Sequence, residues 1–406
     1  MPRSTEALLG SLLAGIEREL PRAVALRHRL HAEPELAHAE ERTAAAVAAE
    51  LPVQSATVAG TGRIARVDAA GGDTRSAAQG NATRAAVAVR AELDGLPIEE
   101  RTGAEFSARG GAMHACGHDV HMAALVALAR AAHALRDDLP APLLAVLQPS
   151  EEAYPSGAEQ LARGALAKLA PGAIVAAHVH PELRWGTVAL DAGAVNASCD
   201  AVGIVVEGEP THGAYPHRGR DPILALAEIV VALHARVGRR IDPLSAATLT
   251  VGVLEGGSAE NVIPARARAR GALRAHRPED RAALRQMVEE VAAGVAAAHG
   301  CRATVELTPG EPALENDPGI VASAHALLAG AGLERAPEWR SSGSDDFAFF
   351  GELAPIAMAF VGLDGAEGFR PRPLHHPELL PPDSAVGAVA RTQALLYVAA
   401  AAALEH

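Results

Sequence analysis

The feature that most restricts the fold is a change of rhythm along the chain. Helix-like and strand-like stretches alternate at first: helices over 5–20 and 22–50, strands at 64–67 and 85–90, a helix over 119–135. A strand at 143–147, a helix over 158–169 and a strand at 173–179 continue the alternation, which is that of an α/β sheet covered on both faces. The middle reads differently, with a strand at 201–207, a helix over 222–237, strands at 247–253 and 265–273, a helix over 278–298 and a strand at 303–307. That order, β-α-β-β-α-β, belongs to a ferredoxin-like unit. From 317 the first rhythm returns, with helices near 317–330, 345–353 and 384–402 and a strand at 356–361. The expected architecture is therefore an α/β domain with a mixed sheet, built from 1–194 and 308–403, interrupted by an inserted ferredoxin-like domain over 195–307. A length of 406 residues agrees, being too great for one hydrophobic core.

Composition narrows the partners. A net charge of −13 argues against a nucleic-acid surface, which needs clustered Lys and Arg. Consecutive apolar residues fall short of a membrane span, which takes roughly 18. The apolar stretch over 7–16 lacks a basic leader and runs into Glu17, Arg18 and Glu19, so it reads as an amphipathic helix rather than a secretory signal. Three scattered cysteines, Cys116, Cys199 and Cys301, make no disulfide framework, and a reducing cytoplasm is the expected location. Lys168 is the only lysine, which leaves no other position for Schiff-base chemistry. Residues 69–84, rich in Gly, Ala, Ser and Thr, read as a flexible hairpin loop, and Leu404-Glu405-His406 as the scar of a tag. Aromatics at 3 % give no sign of a stacked aryl pocket.

The densest chemistry lies in Met113-His114-Ala115-Cys116-Gly117-His118-Asp119-Val120-His121. Cysteine and histidine two apart, beside glycine, suit a loop that turns both side chains to one point, and thiolate with imidazole is a ligand set for zinc and related metals. The bland alternative is a polar turn capped by Asp119. A second cluster, Gln148-Pro149-Ser150-Glu151-Glu152, follows the strand at 143–147, at the end where open α/β sheets hold ligands. Adjacent carboxylates repel; a metal that binds one and leaves the other to handle a proton explains the pair, although a solvated helix start is an alternative. Ala177-His178-Val179-His180 closes another strand, and Leu374-His375-His376-Pro377 lies in a Pro-rich loop. Each alone is more often a surface or core histidine; together they would complete a two-metal site. Competing chemistries do poorly. There is no G-x-S-x-G elbow, and Gly60-Thr61-Gly62 is followed by strand-like rather than helical sequence, against a dinucleotide loop.

These segments resemble the M20 metallopeptidase family, in its aminoacylase, hippurate hydrolase and auxin-conjugate hydrolase branch. The likeness runs from about Arg27 to Leu380, through RHRLHAEPEL (27–36), ELDGLPIEE (92–100), MHACGHDVH (113–121), QPSEE (148–152), AHVHP (177–181), THGAYPH (211–217), DPI (221–223), ENVIP (260–264), GSDDF (343–347) and LHHP (374–377). The resemblance implies a zinc-peptidase-like catalytic domain whose insert is a lid and dimer interface, and a homodimer or tetramer. It implies two divalent metal ions, of zinc, manganese, cobalt or nickel, held by Cys116, His118, Glu152, His178 and His375. Glu151 is then the general base, His212 binds the substrate or its oxyanion, and Asn261 and Arg274 lie near the substrate carboxylate. Asp94 is expected to orient a metal ligand. The implied reaction is hydrolysis of the amide bond of an N-acyl amino acid. A dipeptidase or carboxypeptidase of the same fold and a metal-stabilised binding protein without catalysis are the alternatives. The chain departs from the family pattern at Ser150, usually Ala, at Glu33 before Pro34, usually His, at Pro210-Thr211, usually glycines, and at His376, usually Ser or Asn. His376 could compete as a ligand or reshape the pocket.

Overall fold

The computed structural model describes residues 4–68 and 85–405, so the stretch read as a flexible loop, 69–84, and His406 lie outside the described residues. The chain divides into two compact units: Met1–Gly193 with Glu315–Trp339 and Phe349–His406, and Ala194–Leu314 with Arg340–Ala348. In chain order the first unit contributes helix α1 (Thr5–Ala32), strands β1 (Ser55–Val58), β2 (Gly62–Val67) and β3 (Val87–Glu92), and helix α2 (His118–Ala134). Strands β4 (Leu143–Gln148), β5 (Ala173–Arg184) and β6 (Thr187–Ala189) follow. The second unit holds β7 (Ser198–Glu207), α3 (Pro222–Arg240), β8 (Ala247–Gly256), β9 (Arg266–Ala275), α4 (Pro278–Ala298) and β10 (Arg302–Pro309). The first unit resumes with β11 (Glu334–Arg335), β12 (Ile356–Asp364) and α5 (Ser384–Ala403).

The first unit is a mixed α/β structure around an eight-stranded sheet of order β1-β2-β4-β3-β5-β12-β6-β11. Its centre, β4-β3-β5-β12, is parallel throughout, so four strands end on the same edge. All six residues of β3 and of β4 are buried, as expected for strands covered on both faces. In β3 those buried residues include Arg90 and Glu92, charges that a core strand does not carry without partners. Helix α5 is apolar and long enough to cross a membrane, but 89 % of that window is buried inside the protein, which makes it a core helix. The alanine-rich composition shows in the packing: a Cβ on Gly15 of α1 would stand 2.8 Å from the Ala131 Cβ of α2.

Helix α1 runs unbroken through Pro21, where the sequence suggested two helices. Proline removes one backbone donor, and packing of α1 against α2 and α5 outweighs that local cost. The break falls instead at Glu33, which leaves the helical conformation at φ −132° and ψ 56° just ahead of Pro34, where the α region is disfavoured. The helix read over 158–169 is two short ones, Gly157–Arg163 and Ala165–Leu169, parted at Gly164. Gly60 turns a hairpin between β1 and β2, with φ of 80°.

The second unit has the order β7-α3-β8-β9-α4-β10 and an antiparallel sheet of spatial order β8-β9-β7-β10. Both helices pack on the face carrying Val202, Ile204 and Val206. It takes in more of the chain than the sequence assigned to the insert. Strand β10 reaches Pro309, opposite Asp200, and the carbonyls of Ser341 and Gly343 accept the Ala197 N–H, so 308–314 and 340–348 belong here.

Candidate metal centre

The parallel strands of the first unit deliver side chains to one edge. β3 ends at Glu92 and leads to Asp94; β4 ends at Gln148 and leads to Glu151 and Glu152; β5 carries His178, level with Phe360 of β12. Two loops come to this edge in backbone conformations that few residues adopt. Gly117, at φ 83°, turns the chain into α2, and a Cβ there would stand 2.5 Å from Val179 Cγ2. His375, at φ 64°, donates its N–H to the Ala115 carbonyl at 2.9 Å, which brings the C-terminal loop beside Cys116.

The donor atoms then meet in overlapping groups. Those of Cys116, Glu152 and His375 all lie within 4.8 Å of one another, as do those of His118, Glu151 and Glu152. Cys116 Sγ is 3.4 Å from His178 Nε2, and His118 Nε2 is 3.9 Å from Glu151 Oε2. His118 Nε2 and Glu152 Oε1 are buried yet have no hydrogen-bond partner among the described residues, although His375 Nε2 is only 3.2 Å from that oxygen. Buried polar atoms are rarely left unpaired, so these atoms fit a missing cation better than they fit one another. One thiol, three imidazoles and a carboxylate form a mixed S, N and O set suited to zinc and neighbouring first-row ions.

Surrounding bonds aim these ligands. His118 Nδ1 donates to the Asp94 carbonyl at 2.8 Å, which leaves Nε2 as the lone pair facing the group. His178 Nδ1 donates to the Val179 carbonyl at 2.7 Å and leaves its Nε2 toward Cys116 in the same way. Asp94 Oδ2 accepts the Glu152 N–H at 2.9 Å. Burial opposes charge on His118, but the carboxylates of Glu92, Asp94 and Glu152 prevail and push its pKa up to about 10: the pocket demands a positive charge. Burial and the neighbouring His121 hold His178 well below the usual imidazole range.

The chain has counterparts among known proteins. Residues 88–397 match the description of peptidase family M20/M25/M40. The N-acetyl-L-cysteine deacetylase of Bacillus subtilis is 33 % identical over 375 residues, 92 % of this chain and 86 % of that protein. The N-acetyldiaminopimelate deacetylase of Bacillus pumilus is 35 % identical over 302 residues, 74 % and 78 % of the two chains. This chain belongs to the M20 family. Among solved structures, the Bacillus subtilis YXEP protein, described as a dinuclear metal-binding M20 peptidase, superposes with a TM-score of 0.79 at 28 % identity, covering 94 % of this chain and 98 % of that one.

Several histidines of the M20 motifs have work other than ligation. His121 donates from Nδ1 to Glu92 Oε2 at 2.9 Å and accepts the Val179 N–H on Nε2 at 3.0 Å, so both ring nitrogens are committed. Arg90 completes this network, pairing with Glu92 and donating to Gln148 Oε1 at 2.8 Å. Burial would raise the Glu92 pKa, but Arg90, His121 and His118 hold it well below the usual range, so the charges buried in β3 are paired. His114 donates to the Asp94 carbonyl at 3.1 Å, and burial pulls its pKa down to about 4. His376 accepts the Glu378 N–H within its own turn and stands in none of the donor groups.

A second buried network explains the N-terminal motif. Arg27 donates to Asp119 Oδ2 at 3.0 Å and Asp383 Oδ1 at 2.7 Å. His31 bridges Asp119, at 3.0 Å, and Glu100, at 3.2 Å. Asp119 follows His118 directly, so this network anchors the start of α2. Despite few aromatics, the structure sets Trp339 4.2 Å from Phe360 and 4.8 Å from His180, with Phe360 6.4 Å from the His178 ring. Sequence alone could not pair residues 21 positions apart on different elements.

The remaining residues expected at the site belong to the second unit. His212 lies in the short strand Thr211–His212 opposite Val262, and Gly213 N–H donates to the Asn261 carbonyl at 2.7 Å, so His212 and Asn261 are neighbours. Arg274 is opposite Cys199 on β9 and donates to the Ser342 carbonyl at 3.0 Å. Gly208, which leads to His212, bonds to Ala265 at the other end of β9. At about 3.3 Å per residue, the strand between Arg266 and Arg274 separates these ends by roughly 25 Å.

Proposed function

We propose that the chain hydrolyses the amide bond of small N-acyl amino acids at two divalent metal ions held by Cys116, His118, Glu152, His178 and His375, with Glu151 as general base. The observation that carries this reading is the meeting of five potential ligands and a second carboxylate at one edge of the sheet, with His118 Nε2 and Glu152 Oε1 unpaired. Two M20 relatives that are named as deacetylases of N-acetylated amino acids support the substrate class. When bound, the ions act as Lewis acids on the amide carbonyl and bring the pKa of water toward neutrality. Glu151 takes the proton from the attacking water and returns it to the departing amine. Asp94 keeps Glu152 aimed through its backbone N–H. His212 donates to the carbonyl oxygen as it gains negative charge, and Arg274 holds the α-carboxylate of the amino-acid half. His212 lies beyond the Arg266 end of β9 and Arg274 near the other end, which supports a reading in which two copies of the chain, as a homodimer, supply them to one substrate. Trp339 and Phe360 offer an apolar wall to the substrate.

The test is metal content of protein purified without chelator, together with turnover of a panel of N-acetyl amino acids and a dipeptide. Near two equivalents of metal, with turnover of the N-acetyl compounds that vanishes on metal removal and returns with zinc, manganese or cobalt, is expected. Faster turnover of the dipeptide would replace the substrate class; metal-free protein that fails to take up metal would overturn the ligand assignment.

A further inference from the structure

Beside the loop that carries His375 there is a recess of about 330 Å³ that the proposed reaction does not use. Arg101, Thr102, Gly368, Arg370, Arg372 and Glu378 line it. Three guanidiniums therefore face one carboxylate, in a chain whose overall charge is −13. Glu378 is taken up by Arg372, whose Nε and an NH2 group both stand 2.7 Å from Oε2. Arg101 and Arg370 stand exposed in the wall of this concave site and make no side-chain hydrogen bond or ion pair among the described residues, Arg101 acting on Glu378 through its charge alone. Three arginines around one carboxylate leave the recess with an excess of positive charge, and the occupant that fits it is an oxyanion, which guanidinium binds through paired N–H donors. The volume is at the small end for ligand sites, enough for a carboxylate or phosphate group and a few attached atoms.

The recess is joined to the metal centre by its backbone. Arg101 N–H donates to the Pro377 carbonyl at 2.7 Å, two residues beyond His375, and Gly368, Arg370, Arg372 and Glu378 lie on the same loop on either side of that histidine. Arg101 also follows Glu100, which binds His31 of the network beneath α2.

We propose that this arginine-walled recess is an oxyanion site, separate from the metal centre, whose ligand is held by Arg101 and Arg370. The anion has two possible sources: a second carboxylate on the substrate, a reading that rests on the proposed N-acyl amino acid activity, or a free small anion, which does not depend on it. The experiment compares metal-loaded wild type with R101Q/R370Q, metal content and far-UV circular dichroism being matched first. In the substrate arm, kcat/KM is measured for N-acetyl-L-glutamate against N-acetyl-L-glutamine and for N-succinyl-L-leucine against N-acetyl-L-leucine. A preference for either acidic compound of tenfold or more in wild type that falls below threefold in the variant supports the substrate source. In the free-anion arm, thermal midpoints are recorded with inorganic phosphate and with chloride at equal ionic strength. A phosphate-specific rise lost in R101Q/R370Q supports the free-anion source, while any rise that survives belongs to the metal centre. Wild type and variant alike in both arms would overturn the proposal. Absence of all N-acyl turnover with a lost phosphate response would sink the hydrolase reading and leave the oxyanion site standing.

Discussion

The edge of the large sheet and the edges of the smaller one hold their functional side chains in opposite ways. In the first unit, His118 and His178 are buried and each has its Nδ1 fixed by a backbone carbonyl, while Glu92, His121, Arg90 and Gln148 form a network behind them. In the second unit His212 is exposed, and its ring makes only local contacts, accepting the Ala214 N–H at 3.1 Å and lying 5.8 Å from the Tyr215 ring. Arg274 is half-buried and tied to the Ser342 carbonyl. On the proposed function, the groups assigned to bond breaking are held by the core, and those assigned to recognition lie on the surface of the second unit, where a second copy would complete them. Damage to the first set should therefore cost rate or metal, and damage to the second should cost substrate binding and be repairable in mixtures.

The largest effect is expected at Glu151. Glu151→Gln should retain the metals and lose on the order of 10²–10⁴ in kcat, the usual worth of a general base. Near-normal turnover would remove Glu151 from the chemistry. Next comes His121, whose ring nitrogens are taken by Glu92 and by the Val179 N–H beside His178. His121→Gln should weaken metal affinity by roughly 10- to 100-fold in a competition titration, as outer-shell changes do. Unchanged affinity would show that His178 is aimed without that network, and the contrast between the two units would shrink.

How much of this could be read from the sequence follows the same division. The alternation of elements and the β-α-β-β-α-β order were legible in the pattern, and the motifs around Cys116, His118, Glu152 and His178 in their places at strand ends and in a short loop; the set that adds His375 was what the resemblance to the M20 family implied, and the structure brings these five side chains together. The roles of Arg27, His31, Glu92 and Asp119 were not legible. A buried ion pair such as Arg27 with Asp119 joins residues 92 positions apart, and one-dimensional spacing says nothing of such a pairing. The ends of the insert were misplaced for a related reason: 340–348 pairs with Asn196 and Ala197 across a long loop without strand periodicity of its own. The opposite placement of His212 and Arg274 needed the register of β7 against β9, which hydrophobic alternation fixes only in parity.

That register gives the third prediction. His212→Ala and Arg274→Ala should each lower kcat/KM by about tenfold or more, the cost of one charge-assisted contact, without changing metal content. Mixed and allowed to exchange subunits, the two variants should recover activity toward about a quarter of wild type, because half the dimers are mixed and each mixed dimer holds one intact site. No recovery on mixing would place both residues in one chain's site and contradict the roughly 25 Å separation along β9.

The smallest effect tests the rigid side of the comparison without touching a proposed ligand. Burial lowers the His31 pKa, but Asp119 and Glu100 outweigh it and raise it to about 9 from an ordinary value of 6.5. A group whose folded pKa is raised contributes stability that is fully present below 6.5 and is lost as pH rises through 9. His118, raised to about 10, adds a fall common to wild type and variant, and His114 and His178, shifted the other way, add none. The urea midpoint of wild type should therefore fall between pH 6.5 and 9, and that of His31→Gln should fall less steeply from a lower starting point. Parallel slopes would mean that His31 is neutral in the folded protein. The start of α2 would then be anchored by the pairing of Arg27 with Asp119 alone, and the network beneath the metal centre would rest on one buried cation rather than two.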